Sequence, residues 1–356
     1  MSIEEEIKRL EEEIKNTPYN KATEHHIGKL KAKLARLREE AKKSKSGGGH
    51  GFFVRKTGDA SVALIGPPSV GKSTLLNILT NARSRVGDYG FTTTEIIPGM
   101  MEYRGCKIQL LDLPGIIYGA SSGKGRGKEV IAMARVVDLI VIMVDVFTLN
   151  EVEYIKEELK NAGIRINKRK PEVIIKKKDR GGINIEFSKK CSLSEETARA
   201  ILMEYMSNAD VVIRDDLTAE ELIDAVLGNR AYLPGILVVN KVDLKDVKDV
   251  KVDADMDVVY ISAKRGEGIE ELKQKIFEKL ELVRIYLKPE GKKVEKRPMV
   301  LRKGATIKDV CLRLHRDFVR DFRYAVVSGP SASFPGQRVG LTHEVKDGDV
   351  VTIVTR

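Results

Sequence analysis

The sequence predicts an α/β protein centred on a P-loop, doubly wound parallel sheet. A helical hairpin precedes it, an α+β insertion interrupts it and a β-grasp module follows it. Three observations carry that expectation. The apolar run Ser61-Val62-Ala63-Leu64-Ile65 leads into Gly66-Pro67-Pro68-Ser69-Val70-Gly71-Lys72-Ser73-Thr74, and this leads into Leu75-Leu76-Asn77-Ile78-Leu79. Strand, glycine-bounded loop and helix in that order is the setting in which a phosphate loop is credible. Further apolar runs each end in a short polar motif, and doubly wound sheets bind ligands beyond the C-terminal ends of their strands. After Leu287-Lys288-Pro289-Glu290-Gly291 the pattern starts afresh, with a strand, a helix and more strands in a short span.

At 356 residues the chain exceeds one typical domain, and a hydrophobic share of 42% is enough for more than one core. No apolar run reaches the length of a bilayer crossing, so no membrane partner is expected. The start, Met1-Ser2-Ile3-Glu4-Glu5-Glu6, is acidic, unlike a secretory leader. Cys106, Cys191 and Cys311 lie far apart, with neither disulfide nor zinc spacing, which suits a reducing cytoplasm. A net charge of +11 and an isoelectric point of about 9.3 point to an anionic partner, nucleic acid first, although no DNA partner is expected. A charge-rich surface of the thermophile kind would give the same balance.

Taken in order, Ile3, Ile7, Leu10 and Ile14 repeat at helical spacing, and Asn16-Thr17-Pro18-Tyr19-Asn20 breaks the helix. A second helix carries Ile27, Leu30, Leu34 and Leu37 on one face and Lys29, Lys31, Lys33, Arg36 and Arg38 on the other. The two form the predicted hairpin, residues 1–46. Its basic face is either a solvated surface or a contact for RNA or a partner. A Lys/Ser/Gly linker follows, and the nucleotide-binding domain begins near Gly58.

In the phosphate loop, backbone N–H groups turn inward and the helix N-terminus adds positive potential. Lys72 is placed to reach the β- and γ-phosphates, and the Ser73 hydroxyl to sit on Mg²⁺. The strand Lys107-Ile108-Gln109-Leu110-Leu111 ends in Asp112-Leu113-Pro114-Gly115. There Asp112 can hold Mg²⁺ through water and the Gly115 N–H can bond the γ-phosphate. Between the motifs, Phe91-Thr92-Thr93 offers a threonine for the metal; Thr93 is the choice and Thr92 the alternative. Leu139 to Val144 is an apolar strand ending at Asp145, and Ile236-Leu237-Val238-Val239 ends in Asn240-Lys241-Val242-Asp243. The Asp243 carboxylate can accept from guanine N1–H and N2–H, which adenine cannot supply, while the Lys241 stem packs on the base. Ser262-Ala263-Lys264, after Val258 to Ile261, brings backbone toward guanine O6.

The span from Asp112 to Asn240 is about twice what a minimal guanine-nucleotide domain needs. Residues 58–163 and 234–290 are therefore assigned to that domain and 164–233 to an insertion. The insertion has strands at Val173 to Ile175 and Ile183 to Phe187, a helix from Ser194 to Met206, a strand from Asp210 to Ile213 and a helix from Thr218 to Leu227. Its Lys168-Arg169-Lys170 and Lys176-Lys177-Lys178 are either solvated or face RNA phosphates. In the tail, residues 294–356, Met299 to Leu301 is a strand, and Thr306 to Phe318 a helix with Ile307, Val310, Leu314 and Phe318 toward the core. Tyr324 to Val327 and Asp349 to Val354 are further strands. This module holds no catalytic constellation and is read as a docking module.

Together these residues resemble the developmentally regulated GTP-binding proteins, a branch of the Obg-like GTPases, over nearly the full length. The likeness rests on Asn20-Lys21-Ala22-Thr23-Glu24-His25-His26, Lys56-Thr57-Gly58-Asp59-Ala60, Phe91-Thr92-Thr93 and the glycine-rich run Gly119 to Gly127 after Asp112-Leu113-Pro114-Gly115. The tail is similar to a TGS domain through Gly304-Ala305-Thr306-Ile307, Gly336-Gln337-Arg338-Val339-Gly340 and Asp347-Gly348-Asp349-Val350-Val351. The resemblance implies GTP binding and slow hydrolysis, Mg²⁺, association with RNA or translating ribosomes, a dedicated regulatory partner protein and a cytoplasmic place of work. It also suggests K⁺ near the β/γ bridge, for which Ser69 stands where many K⁺-dependent relatives have Asn. Ile116 follows Gly115 where Ras-like proteins carry a water-orienting Gln, so a low intrinsic rate is expected. Two alternatives are an RNA- or ribosome-binding adaptor whose nucleotide is mainly structural, and an ATPase, against which Asp243 argues.

Overall fold

The computed structural model describes residues 3–21, 23–44, 57–80, 97–113, 127–245 and 255–355. The chain forms two compact units, one of Met1–Gly51 with Lys168–Tyr232, the other of Phe52–Asn167 with Leu233–Arg356. In chain order the elements are α1 (Ile3–Asn16), α2 (Glu24–Ser44), β1 (Ala60–Ile65), α3 (Lys72–Leu79), β2 (Ile97–Tyr103), β3 (Cys106–Asp112), α4 (Gly127–Ala134), β4 (Leu139–Asp145) and α5 (Glu151–Asn161). Then come β5 (Ile164–Ile166), β6 (Val173–Lys177), β7 (Ile183–Phe187), α6 (Glu195–Met203), β8 (Ala209–Ile213), α7 (Ala219–Leu227), β9 (Ala231–Leu233), β10 (Gly235–Asn240), a 3₁₀ turn over Val242–Leu244, β11 (Asp257–Tyr260) and α8 (Ile269–Lys279). The tail holds β12 (Leu282–Leu287), β13 (Met299–Arg302), α9 (Ile307–Leu314), α10 (Asp317–Arg320), β14 (Phe322–Ser328), β15 (Gln337–Val339) and β16 (Val350–Thr355).

The larger unit is built on a six-stranded sheet in the order β11-β10-β4-β1-β3-β2, parallel except for β2. The strands β1, β4 and β10 are buried along their whole length, as continuous apolar runs must be when both faces of a parallel sheet are covered. β2 was not foreseen. Its sequence, Ile97-Pro98-Gly99-Met100-Met101-Glu102-Tyr103, breaks the apolar pattern with Pro and Gly, residues that strands tolerate at a sheet edge. It joins β3 through Arg104 and Gly105, both in the left-handed region at φ 50° and 83°. Asn167 ties the chain leaving for the insertion to the chain returning from it: its Oδ1 accepts from the Gly235 N–H at 2.8 Å and its Nδ2 donates to the Gly235 carbonyl at 3.2 Å.

The same unit carries the second sheet, β13-β12-β16-β14-β15. Its core comprises Val283, Ile285, Ile307, Val310, Cys311, Ala325, Val327, Val345 and Val351. Here the structure moves a boundary. Leu282–Leu287 fell on the nucleotide-domain side of the predicted division at residue 290, yet it pairs with β13 and β16. Pro289-Glu290-Gly291, at which the sequence pattern starts afresh, lies between two strands of this sheet. The predicted helix from Thr306 to Phe318 is also divided. α9 stops at Leu314, extended backbone at His315 separates it from α10, and Leu314 lies exposed past the end of the core stripe.

The smaller unit joins the two segments that the sequence treats as separate bodies. Helices α1 and α2 pack through Leu10, Leu30, Leu34 and Leu37, with Ile7 and Ile14 alongside. The insertion forms a three-stranded sheet, β6-β8-β7, backed by α6 and α7. Ala32 of α2 belongs to that insertion's core. The Tyr205 hydroxyl donates to the Ala32 carbonyl at 2.8 Å, and Arg230, nearly buried, pairs with Asp224 at 2.8 Å and Glu39 at 3.1 Å. Part of the basic face predicted for α2 thus faces the insertion: Lys31 pairs with Glu220 and Arg36 with Glu204, both cations half-buried.

Candidate nucleotide-binding site

The loop between β1 and α3 is shaped by sterics. A Cβ on Gly66 would fall on the Met143 carbonyl oxygen, and on Gly71, at φ 99°, it would stand 2.5 Å from Asn240 Nδ2. Ser69 also takes a left-handed conformation, at φ 64°, uncommon for a residue with a side chain. Val70 is fully buried and anchors the loop in the sheet's core. Lys72 opens α3 and is itself buried; its Nζ donates to the carbonyls of Gly66 at 2.9 Å and Pro67 at 2.7 Å. Burial pushes the Lys72 pKa down, while the Asp112 charge pulls it up. An ammonium held this way gains by exchanging neutral carbonyls for phosphate oxygens. Pro67, Pro68 and the exposed Ser73 and Thr74 complete the loop.

Beside it, β3 brings Asp112 against the start of α3. The Ser73 hydroxyl donates to Asp112 Oδ2 at 2.8 Å. Asp112 Oδ1 is buried with no hydrogen-bond partner among the described residues. A buried carboxylate oxygen left unpaired is costly, so this atom calls for a cation or its water. The pair fits Mg²⁺, a hard cation that takes one or two protein oxygens and leaves its other positions to water and phosphate. No group of three or more His, Cys, Asp or Glu able to hold a metal occurs among the described residues. Leu113 is buried and its N–H donates to the Leu64 carbonyl at 3.1 Å. Pro114, Gly115, Phe91, Thr92 and Thr93 lie outside the described residues.

The other end of the site is assembled by β10 and the segment after β11. Asn240 is buried and joins three segments: its Nδ2 donates to the Val70 carbonyl at 2.8 Å, and its Oδ1 accepts from the Ala263 N–H at 2.9 Å. Ala263 thus directs its N–H at Asn240, a connection between motifs that spacing does not show. Val242 N–H reaches the Ile261 carbonyl at 3.3 Å. The Ser262 hydroxyl donates to Asp243 Oδ1 at 2.7 Å and Arg265 stands 3.9 Å from the same carboxylate. The Ser262 bond, with Arg265 and Lys264 adding positive charge, holds the Asp243 carboxyl below the usual range, so it is ionised and acceptor-only at neutral pH. Lys241 donates to Asp145 Oδ2 at 2.6 Å. The sequence puts Asp145 at a strand end and suggests no role for it. The signal was its position: it stands in register beside Asn240.

Phosphate loop, hydroxyl–carboxylate pair and Asn-Lys-x-Asp motif meet at the C-terminal ends of β1, β3 and β10, which defines a P-loop protein with a guanine-nucleotide site. Comparison with known proteins agrees. Residues 61–178 match the family model described as 50S ribosome-binding GTPase, residues 180–282 the C-terminal region of the MMR_HSR1 domain, and residues 283–355 the TGS domain. An uncharacterized GTP-binding protein of Methanocaldococcus jannaschii is 55% identical, covering 100% of this chain and 94% of its own. Developmentally-regulated G-protein 3 of Arabidopsis thaliana is 46% identical over 100% and 99%. Developmentally-regulated GTP-binding protein 2 of Homo sapiens is 45% identical over 100% of both. The chain belongs to the developmentally regulated GTP-binding proteins, with a GTPase domain and a C-terminal TGS domain. The TGS match begins at residue 283, one residue into β12.

Proposed function

We propose that this protein is a slow GTPase that acts in the cytoplasm as a switch on ribosomes or their RNA. The observation that carries it is the joining of the phosphate and base ends by Asn240, which bonds both Val70 and Ala263. In this reading the loop's N–H groups and Lys72 hold the phosphates, and the N–H of Gly115 completes the γ-phosphate end. Ser73, Asp112 and a hydroxyl from Thr93 would hold Mg²⁺, which when bound neutralises charge on the phosphate oxygens. Asp243, already ionised, reads the guanine edge. Such a site works by positioning water in line and stabilising charge. Ile116 has no side-chain atom to orient water, so the chain alone should turn over on the order of 10⁻³ s⁻¹ or slower. K⁺, ligated in part by Ser69, is the proposed substitute.

The ribosome enters through the description of the matching GTPase family model. Charge supports an RNA-facing tail. Residues 282–356 hold sixteen Lys and Arg against eight Asp and Glu, whereas residues 168–232 hold twelve of each. Most of the chain's positive surplus thus lies in the TGS domain and none in the insertion. A regulatory protein partner is part of the proposal by family likeness. GTP turnover measured with and without ribosomes, in KCl and in NaCl at equal ionic strength, tests the reading. Stimulation by ribosomes and by K⁺ is expected. Equal rates in the two salts would remove K⁺, and turnover of several per second by the pure chain would remove the slow-switch mechanism.

A further inference from the structure

Asp145 closes β4, and its side chain is only 6% exposed, a rare setting for a carboxylate. Burying one is costly unless its oxygens are taken up. Here Oδ1 accepts from the Phe147 N–H and the Thr148 hydroxyl, each at 3.0 Å, and the Thr148 hydroxyl accepts from the Asp145 N–H at 3.0 Å. Those bonds fix a local turn and leave Oδ2 to reach across to Lys241 at 2.6 Å. Burial opposes the charge on Asp145, but Lys241, the Phe147 N–H and Thr148 outweigh it and hold the carboxyl below its usual range. Lys241 itself sits at φ 62°, so the chain bends sharply after Asn240. A lysine stem is among the most mobile side chains, and one that must line a binding site loses that freedom on binding unless something has already fixed it.

We propose that Asp145 is a positioning residue for guanine nucleotide: by gripping the Lys241 ammonium through a locked turn, it presets the lysine stem as a wall for the base. This rests on Asn240 to Asp243 being the base-reading motif. Asp145 touches neither base nor phosphate in this account. Its effect passes through Lys241, and so it belongs to the base end of the site and not to the phosphate end.

The test is release of a fluorescent GDP analogue by the full chain, measured for wild type, Asp145→Asn, Lys241→Met and the double variant. Each single change should speed release about tenfold, and the double should be no faster than the faster single. Displacement of the analogue by tripolyphosphate, which lacks a base, reports the phosphate end and should need the same concentration relative to analogue affinity in every variant. Thr148→Val, which removes one bond to Oδ1 and the acceptor of the Asp145 N–H, should speed release about two- to threefold. It also closes the same cycle with Lys241→Met should Asp145→Asn not fold. Unchanged release in Asp145→Asn, multiplying effects in the double variant, or an equal loss of tripolyphosphate binding would overturn the proposal. Failure of the wild type to retain the analogue would instead overturn the base-site reading beneath it.

Discussion

Lys72 and Asp243 show how a single side chain's surroundings prepare it for an ionic ligand. Lys72 is buried against peptide carbonyls, and Asp243 is kept charged by the Ser262 hydroxyl. Replacing Asp243 by Asn exchanges one of its acceptors for a donor. GTP affinity should fall roughly tenfold to a hundredfold, the range of one or two charged hydrogen bonds, and xanthosine triphosphate should bind better. Calorimetry with both nucleotides checks this. Thiol chemistry gives a second expectation. Cys106 is buried and its pKa is pushed up to about 12 by burial and by the Asp59 charge, and burial likewise raises Cys311. Only the thiolate reacts, so at pH 8 a thiol reagent should label the partly exposed Cys191 and leave the other two intact in the native protein. The depressed pKa of Asp145 also fixes a sign. Its ion pair contributes fully above the ordinary carboxylate pKa and is lost as pH falls below it. Melting of the nucleotide-free chain should therefore show no loss from this pair between pH 8 and 5. The motif residues were legible because each one's chemistry is local. Asp145 was not, since its meaning arises from register between two strands.

Among the elements, the buried strands declared themselves by unbroken apolar runs, and the starts predicted for α6, α7 and α9 at Ser194, Thr218 and Thr306 coincide with the caps in the structure: Ser194, the Thr218–Glu221 box and the Thr306–Asp309 box. β2 stayed hidden because an edge strand with Pro98 and Gly99 has no such run. Its hairpin turn lies against the TGS domain. Arg104 stacks over Tyr103 and Phe277, at 5.3 and 5.7 Å from the ring centroids, and Arg284 lies 5.6 Å from Phe277 while pairing with Asp347 at 2.8 Å. Gly105→Ala would place a methyl 2.9 Å from Pro298 Cγ on a left-handed backbone. It should destabilise the chain by about 1–2 kcal/mol, read as a lower urea midpoint with unchanged slope.

For the whole molecule, the part that could not be read was the pairing of hairpin with insertion. Periodicity reveals which face of α2 is apolar but not which distant segment covers Ala32. The nucleotide residues described here all lie in the other unit. Ala32→Glu, which buries a charge in the insertion's core, should expose α1 and α2 to limited proteolysis and leave GDP affinity within about twofold. Equal protection from protease would show that the shared core is not what holds the hairpin.

That shared core also sets an order of events during synthesis. The first helices leave the ribosome early, but the residues that complete their fold are encoded beyond the P-loop and three central strands. At 5–20 residues per second, roughly ten to forty seconds separate the end of α2 from the end of α7. For that interval the N-terminal pair must wait with the flank around Ala32 uncovered, so the segment made first is among the last to reach its native state.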